Sequence, residues 1–394
     1  MSFSVAIVAL LVLVFVHEAG HFLVARAVGM TPRKFYLGFG PPLVRRKARS
    51  GVEYGIAALP LGGYVKIPGM HRPSAGDLRK TLAPAEQEEL APELDELDAA
   101  LEHDDEPAAR AAVARLQPKL PGSNQLQELD WALAPDAYWR QRAWKKIAVI
   151  AAGPLTNALV AFALFLVLFT LGQIVATRAV AAVLPGHPAA AAGLRPGDRI
   201  ERVAGHRVTP DTIALRINAT HGKPFRIVVA RSGRRVTLGP LRARLDQGVY
   251  RVGFEIKGAP GPGDSVPAAA WHSLRVMGYV AADTARSIAG IFVGTGTRNI
   301  SSTVGIVRAT AQAYQQSIRD FLGVVGLVSL ALALLNLLPV LPLDGGHIVM
   351  SILERLRGRA FSQLAYLRYS AVGITFFVFL LYLGLRNDFT GGHS

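Results

Sequence analysis

The residues best able to do chemistry stand near the start of the chain, in the HEAGH run at 17–21. Positions four apart share one face of a helix, so His17 and His21 can bind one metal ion together. Glu18 stands beside that face, where a general base would be needed. The preceding residues, 7–16, are almost wholly apolar, and polar groups at the end of a membrane helix are costly without a function. Two surface histidines on a soluble helix are the alternative.

Two histidines leave a catalytic zinc site one protein ligand short. The chain has no cysteine, so the third ligand must be a histidine or a carboxylate. Asp344 is the candidate, because it follows an apolar segment and two prolines that would unwind or kink a helix. Two glycines then allow a sharp turn. His347 is a rival ligand, for which we favour a role next to the site or facing solvent.

Composition predicts that much of the chain lies in lipid. The 394 residues are 51% hydrophobic, with a mean hydropathy of +0.30. The net charge of +15 has no aromatic-interleaved basic stripe to indicate nucleic acid. Membrane topology and anionic lipid headgroups explain this charge more simply.

The fold class predicted is a polytopic α-helical membrane protein with about four transmembrane helices. Basic residues flank the connectors after the first and third spans, which predicts that both connectors are cytoplasmic and that the termini and the middle region lie outside. The predicted spans are 1–30 with the HExxH run, 140–176, 319–347 with the LDG run, and 366–388.

The segments between the spans predict smaller soluble pieces. Residues 31–73 form a membrane-associated, cytoplasmic-side β-hairpin region, read as strand, turn and strand over 52–67. Residues 74–135 are an acidic insertion, expected to be a solvated helical pair or a partly disordered loop. Residues 178–258 alternate strand-like runs with one helix, typical of a small α+β domain. Residues 266–318 are amphipathic and lie along the membrane or against the helix bundle.

Together these motifs resemble the site-2 protease family of intramembrane zinc metalloproteases. HEAGH in a first membrane helix pairs with NLLPVLPLDGGH at 336–347 in a later one. The runs PLGGYVKIPG at 60–69 and AGPLTN at 152–157 agree with the resemblance. The closing Asn387-Asp388-Phe389 is also similar to the bacterial sigma-E-regulating branch, RseP, and the acidic insertion lies outside the resemblance.

The resemblance implies a role for each matching residue. His17, His21 and Asp344 would bind Zn²⁺, and Glu18 would be the general base for zinc-activated water. Asn157 matches a position associated with holding an unwound substrate, although a helix–helix polar contact is the alternative. The hairpin edge could extend a substrate helix into a strand. The full set of candidate substrate-binding residues is Asn157, Asn336, Gly62, Gly63 and Tyr64.

The extracytoplasmic α+β domain resembles a single PDZ domain. Its AAAAGLRPGDRI run at 189–200 is similar to a bacterial PDZ stretch, with Gly193, Leu194 and Gly197 at the groove. PDZ grooves bind peptides by strand addition, so a peptide or protein ligand is expected there. Enteric sigma-E-regulating enzymes carry two such domains, and 178–258 has room for one.

The function implied is an intramembrane zinc endopeptidase acting in regulated intramembrane proteolysis. Its substrates would be single-pass membrane proteins, such as anti-sigma factors, or remnant signal peptides. The protein would be a multi-pass protein of the bacterial inner membrane, embedded in the lipid bilayer, with its active site near the cytoplasmic face and no nucleic-acid partner. A silent PDZ scaffold would tolerate loss of Glu18 or Asp344, and both are present. A zinc-dependent transporter would show more intramembrane ligands.

Overall fold

The computed structural model describes residues 2–172, 174–246, 249–292 and 303–390. The chain divides into two compact units. The first combines Met1–Leu166 with Ala270–Ser394, and the second is Val167–Ala269. All of the predicted metal ligands belong to the first unit.

Three helices of the described chain are long and apolar enough to cross a membrane: α1 (Ser2–Ala27), α7 (Ala143–Thr170) and α12 (Ile318–Asn336). At 1.5 Å per residue, α1 is about 39 Å long, which exceeds a hydrocarbon core of about 30 Å. The structure therefore supplies three candidate spans. The predicted fourth span, 366–388, lies within α14 (Gln363–Thr390). That helix is not one of the three found among the described residues, so a fourth span stays a prediction.

The predicted third span, 319–347, is not one helix. Helix α12 ends at Asn336, an irregular segment follows over 337–343, and α13 (Asp344–Arg357) begins at Asp344. Pro339 and Pro342 lie in that segment, where they lack the N–H group that a continuing helix needs. Asp344 consequently stands at the start of a new helix rather than at the end of the apolar one.

The hairpin region consists of two long strands, β1 (Lys34–Lys47) and β2 (Glu53–Lys66). The first four residues of β1 pair antiparallel with the last four of β2 and parallel with its first four. The last four residues of β1 pair antiparallel with the first four of β2. Both strands must therefore bend back midway. The structure differs from the strand, turn and strand predicted over 52–67, because β2 runs through the expected break and its partner is β1.

The acidic insertion is a compact group of five short helices with a core of its own. Its buried side chains are mostly leucine and alanine at three- and four-residue spacing, such as Leu90, Leu94 and Leu97. This spacing gives each helix one apolar face, which is why the insertion is neither a simple helical pair nor a disordered loop. The helices are α2 (Ala75–Arg79), α3 (Pro84–Glu89), α4 (Ala91–Glu102), α5 (Glu106–Leu116) and α6 (Asn124–Leu133).

Two further helices occupy the predicted amphipathic region 266–318. They are α10 (Val266–Phe292) and α11 (Thr303–Gln316). The part of this prediction that covers 293–302 lies outside the described residues.

The second unit is built on an antiparallel sheet with strand order β10-β3-β4-β6-β7. Short β5 pairs with β4, and β8 with β9 forms a separate hairpin. The strands and helices are β3 (Ile174–Val183), α8 (Pro188–Ala191), β4 (Arg199–Val203), β5 (His206–Arg207), α9 (Pro210–Asn218), β6 (Phe225–Arg231), β7 (Arg234–Leu241), β8 (Arg244–Asp246), β9 (Val249–Arg251) and β10 (Phe254–Pro260).

The run 189–200 forms the turn between α8 and β4 of this unit. Gly193 and Gly197 have φ values of +77° and +89°, a region that side chains other than glycine rarely adopt. Leu194 and Ile200 are buried in the apolar core of the unit. The glycines thus allow two tight turns while the apolar side chains anchor the segment.

A buried carboxylate pins the same turn to the sheet. Asp198 is 2% exposed and accepts hydrogen bonds from the backbone N–H of Arg195 and from the Arg231 guanidinium. The bond from Arg231 lowers the pKa of the Asp198 carboxyl. The carboxylate therefore stabilises the fold fully above about pH 4, the pKa of an unfolded aspartate. That contribution is lost as the pH falls through the lower folded pKa.

We predict that Asp198→Asn destabilises this unit by about 1–3 kcal/mol at neutral pH, the usual loss for a buried charged hydrogen bond. Hydrogen exchange of the β4 and β6 amides in the full-length protein would measure the effect. Asp246→Asn is the control, because Asp246 and Arg251 form an exposed ion pair at 3.6 Å. Equal protection in the two variants would contradict the prediction, and the difference between them should shrink on acidification below pH 4.

Candidate active site

The two histidines of the HEAGH run point their imidazoles toward one another on α1. Their exposed fractions are 8% for His17 and 7% for His21. The two Nε2 atoms are 3.2 Å apart, and the ring planes are nearly perpendicular. The four-residue spacing produces this arrangement, because it places both side chains on one helix face.

Asp344 completes the group from the first turn of α13. Its Oδ2 atom lies 3.1 Å from His17 Nε2 and 3.4 Å from His21 Nε2. This oxygen is buried, and no described residue forms a well-aligned hydrogen bond with it. Ligands at tetrahedral corners about 2.0–2.1 Å from zinc lie about 3.3 Å from one another. The three atoms therefore have the spacing and chemistry of a zinc site, and they fit the predicted metal.

His347, the rival ligand, lies outside this group. Among the described residues, the cluster able to hold a metal consists of His17, His21 and Asp344. The His347 ring instead lies 5.9 Å from the Tyr366 ring. The role favoured for His347 from the sequence, next to the site or facing solvent, stays a prediction.

Helix α7 supplies a partner to the outer nitrogen of each histidine. His21 Nδ1 lies 2.8 Å from the Val149 carbonyl oxygen, to which it donates. His17 Nδ1 lies 3.4 Å from the side-chain amide of Asn157, a residue that is 1% exposed. Such partners orient metal-bound imidazoles and fix their tautomers. The structure brings Asn157 to a ligand, and it leaves almost none of the amide accessible.

Glycines allow α1 and α7 to approach closely at the site. A Cβ atom on Gly153 would overlap the His21 imidazole and lie 2.8 Å from His17 Cε1. A Cβ on Gly20 would overlap Thr156 Oγ1 and lie 2.7 Å from the Ala152 carbonyl oxygen. Small residues of this kind mark close helix crossings in membranes. Neither glycine was predicted to have a role. Both lie within motifs, Gly20 in HEAGH and Gly153 in AGPLTN, and this position is the sequence signal that could have identified them.

The segment before α13 is held from two sides. A Cβ on Gly345 would overlap the carbonyl oxygens of Leu337 and Leu338, so this glycine lets α13 start directly against the segment. From the other side, the Tyr369 hydroxyl of α14 donates to the Pro339 carbonyl oxygen at 2.6 Å. These contacts fix the backbone that delivers Asp344.

Strand β2 passes beside the proposed base. A Cβ on Gly63 would lie 3.0 Å from Glu18 Cγ and 2.9 Å from the Tyr36 carbonyl oxygen. Tyr64 stacks on Tyr36 with ring centroids 5.3 Å apart. A Cβ on Gly62 would overlap the Phe39 ring. Of the three predicted hairpin residues, Gly63 lies beside Glu18, Tyr64 stacks on Tyr36, and Gly62 lies against the Phe39 ring.

The Asn336 side chain forms a hydrogen bond within its own helix. Its side-chain amide donates to the Leu332 carbonyl oxygen at 3.0 Å, and the residue is half-buried. This bond ties the amide nitrogen to the last turn of α12.

A buried ion pair joins α7 to α13. Lys146 Nζ lies 2.8 Å from Glu354 Oε2, and each side chain is only 6% exposed. Glu354 Oε1 accepts the backbone N–H of Phe361 at 2.9 Å. Nearby, the Tyr138 and Ser351 hydroxyls are 3.0 Å apart. This network was not predicted from the sequence, because a lysine at a helix start and a glutamate on an amphipathic helix are both usually exposed to solvent.

The profile described as peptidase family M50 matches residues 5–381. The chain belongs to peptidase family M50. A Brucella suis protein is 30% identical to this M50 peptidase over 95% of the chain and 90% of its own length. A Rhizobium meliloti protein is 28% identical, over 96% and 94%, and a Xylella fastidiosa protein is 27% identical over 98% of each. All three are named as candidate zinc metalloproteases.

Family membership confirms the resemblance predicted from the motifs. The M50 peptidase is a metalloprotease, and zinc is its metal. Its apolar helices and its family make it a membrane protein.

We predict that Gly153→Ala reduces zinc affinity by about 10–100-fold, the range for disturbed surroundings of a metal-bound histidine. The added methyl group would displace both imidazoles. Zinc content and competition against a chelator would measure the loss. Gly278→Ala on α10 is the matched control, because nothing lies within 4 Å of its added Cβ. Equal zinc affinity in the two variants would contradict the packing argument.

We also predict that Glu354→Gln lowers the free energy of unfolding by about 3–5 kcal/mol, because Lys146 would remain charged and buried without its partner. Replacing both residues, as Lys146→Met with Glu354→Leu, should cost less than the single change. Asp283→Asn, in an exposed pair with Arg286, is the control. Denaturant unfolding in detergent is the measurement, and a double variant no more stable than Glu354→Gln would speak against the pair.

Proposed function

We propose that this M50 peptidase is an intramembrane zinc endopeptidase that hydrolyses peptide bonds of transmembrane substrates. One observation carries the proposal. The donor atoms of His17, His21 and Asp344 converge at 3.1–3.4 Å, and two of them belong to a helix apolar enough to span a membrane. A protease whose metal ligands lie in a membrane helix has membrane-embedded chains as its natural substrates.

Glu18 is the general base of the proposed reaction. Bound zinc would supply a Lewis acid that polarises the scissile carbonyl and acidifies water. The Glu18 carboxylate, one residue from His17, would accept the proton of the attacking water. The same carboxyl group would then pass that proton to the amine of the leaving peptide.

Substrate access is the role proposed for the bent sheet of β1 and β2. Helical peptide bonds are shielded from attack, so a membrane-spanning substrate has to unwind locally. Strand β2 could pair with the unwound segment and present it beside Glu18, because Gly63 brings the β2 backbone next to that carboxylate. The amide oxygen of Asn336 is a further candidate contact for the substrate backbone.

Topology and substrate class extend the proposal. The basic flanks of the spans favour a multi-pass protein of the bacterial inner membrane, with α14 as a fourth span and the site near the cytoplasmic face. Single-pass proteins of the anti-sigma type, or remnant signal peptides, fit such a site. Cleavage of such substrates would make the enzyme part of regulated intramembrane proteolysis.

The second unit is proposed to be a PDZ domain that binds peptides outside the cytoplasm. Its antiparallel sheet, its glycine turns at Gly193 and Gly197 and the buried Leu194 support that assignment. A peptide would add as a strand beside this turn.

The test is cleavage of a reporter transmembrane segment by the full-length protein in detergent, with zinc measured in each variant. We predict that Glu18→Gln keeps its zinc and loses about 10²–10⁴-fold in rate, because the base is gone and the ligands remain. Asp344→Ala should lose both zinc and activity, because the third ligand is gone. Zinc removal by a chelator should abolish wild-type cleavage, and zinc should restore it.

Two results would contradict this mechanism. Cleavage by Glu18→Gln at the wild-type rate would exclude Glu18 as the base. Wild-type protein that binds no zinc and cuts none of several transmembrane reporters would favour a scaffold instead.

A further inference from the structure

We infer that Asn157 is a positioning residue for His17, whose Nδ1–H it accepts through its side-chain oxygen Oδ1. The resemblance implied that Asn157 binds the substrate. Its place beside His17 indicates instead that it orients a zinc ligand. The inference rests on the zinc site of the proposed function.

The surroundings of Asn157 limit what it can contact. The residue lies on α7 and is 1% exposed, and its side-chain Nδ2 as placed is 3.4 Å from His17 Nδ1. The other end of the amide is buried and has no hydrogen-bond partner among the described residues. His17 is therefore the polar side chain that the Asn157 amide contacts. A substrate backbone would have little access to this amide.

Zinc binding by His17 determines which end of the Asn157 amide has to face the imidazole. The Nε2 atom of His17 points to Asp344 and to His21, so it is the nitrogen that would bind zinc. Nδ1 must then carry the proton and act as a donor. Only the amide oxygen of Asn157 can accept it, and a half-turn of the amide group exchanges oxygen and nitrogen without moving other atoms. Among the described residues, no hydrogen-bond partner at the other end of the Asn157 amide opposes that orientation.

The second histidine shows the same arrangement with a different acceptor. His21 Nδ1 donates to the Val149 carbonyl oxygen at 2.8 Å. Helix α7 would thus provide one acceptor to each zinc-binding imidazole, a main-chain oxygen for His21 and a side-chain oxygen for His17. The side-chain acceptor is the one that a substitution can remove.

The backbone around Asn157 is itself held in place. Ser329 of α12 is fully buried and its hydroxyl donates to the Asn157 carbonyl oxygen at 2.8 Å. This bond links α7 to the helix that precedes Asp344. An amide anchored in this way can hold His17 at a constant angle before zinc arrives.

Zinc affinity of the full-length protein in detergent, measured by competition against a chromophoric chelator, tests the inference. We expect Asn157→Ala to bind zinc about 10–100-fold more weakly, because the Nδ1–H of His17 loses its acceptor. Asn157→Asp should bind nearly as tightly as wild type, because a carboxylate also accepts. Leu159→Ala, at an exposed position of the same helix, should retain wild-type affinity, since it leaves the amide beside His17 unchanged.

The outcomes separate this inference from its alternatives. Unchanged zinc affinity in Asn157→Ala, with a raised KM, would overturn it and return Asn157 to the substrate. Weakened binding in both Asn157→Ala and Asn157→Asp would overturn it as well, because loss of local packing would then explain the effect. Wild-type protein without zinc affinity would overturn the proposed function, and this assignment with it.

Discussion

The convergence of two imidazoles and one carboxylate within an apolar setting is the constraint on which the rest of the structure depends. His17 and His21 come from the first helix, whereas Asp344 comes from near the other end of the sequence. Polar groups buried this deeply are costly unless they are paired or bind a metal. The fold must therefore bring distant segments together to place these three groups, and a zinc ion bound as proposed would make that burial favourable.

Helix α7 is the common support for this convergence. It crosses α1 closely at Gly153, provides the Val149 and Asn157 partners of the histidines, and reaches α13 through Lys146. The proposed ligands thus come from α1 and α13, while contacts with α7 set their geometry. A metal site built on rigid packed helices in this way is better defined than one carried by loops.

Local rules predicted some elements well and failed where distant contacts decide. The apolar lengths of α1 and α7 indicate membrane helices, and periodicity alone puts His17 beside His21. The same hydropathy pattern predicted one span over 319–347, although the prolines at 339 and 342 separate α12 from α13. Strand β1 was not predicted, because its pairing with both ends of β2 is a long-range choice that hydrophobic alternation does not encode.

The sequence by itself determined which groups are available for the proposed chemistry: a histidine pair at helical spacing, a neighbouring glutamate, and a later aspartate in a motif that resembles the family's. Only the tertiary structure decided that Asp344 Oδ2 meets both Nε2 atoms, that Asn157 faces His17 rather than open space, and that Lys146 is buried against Glu354. Residue types and spacing fix which groups can react and which face of a helix they share. The distances between groups on different helices follow from packing, which depends on every side chain at the contact.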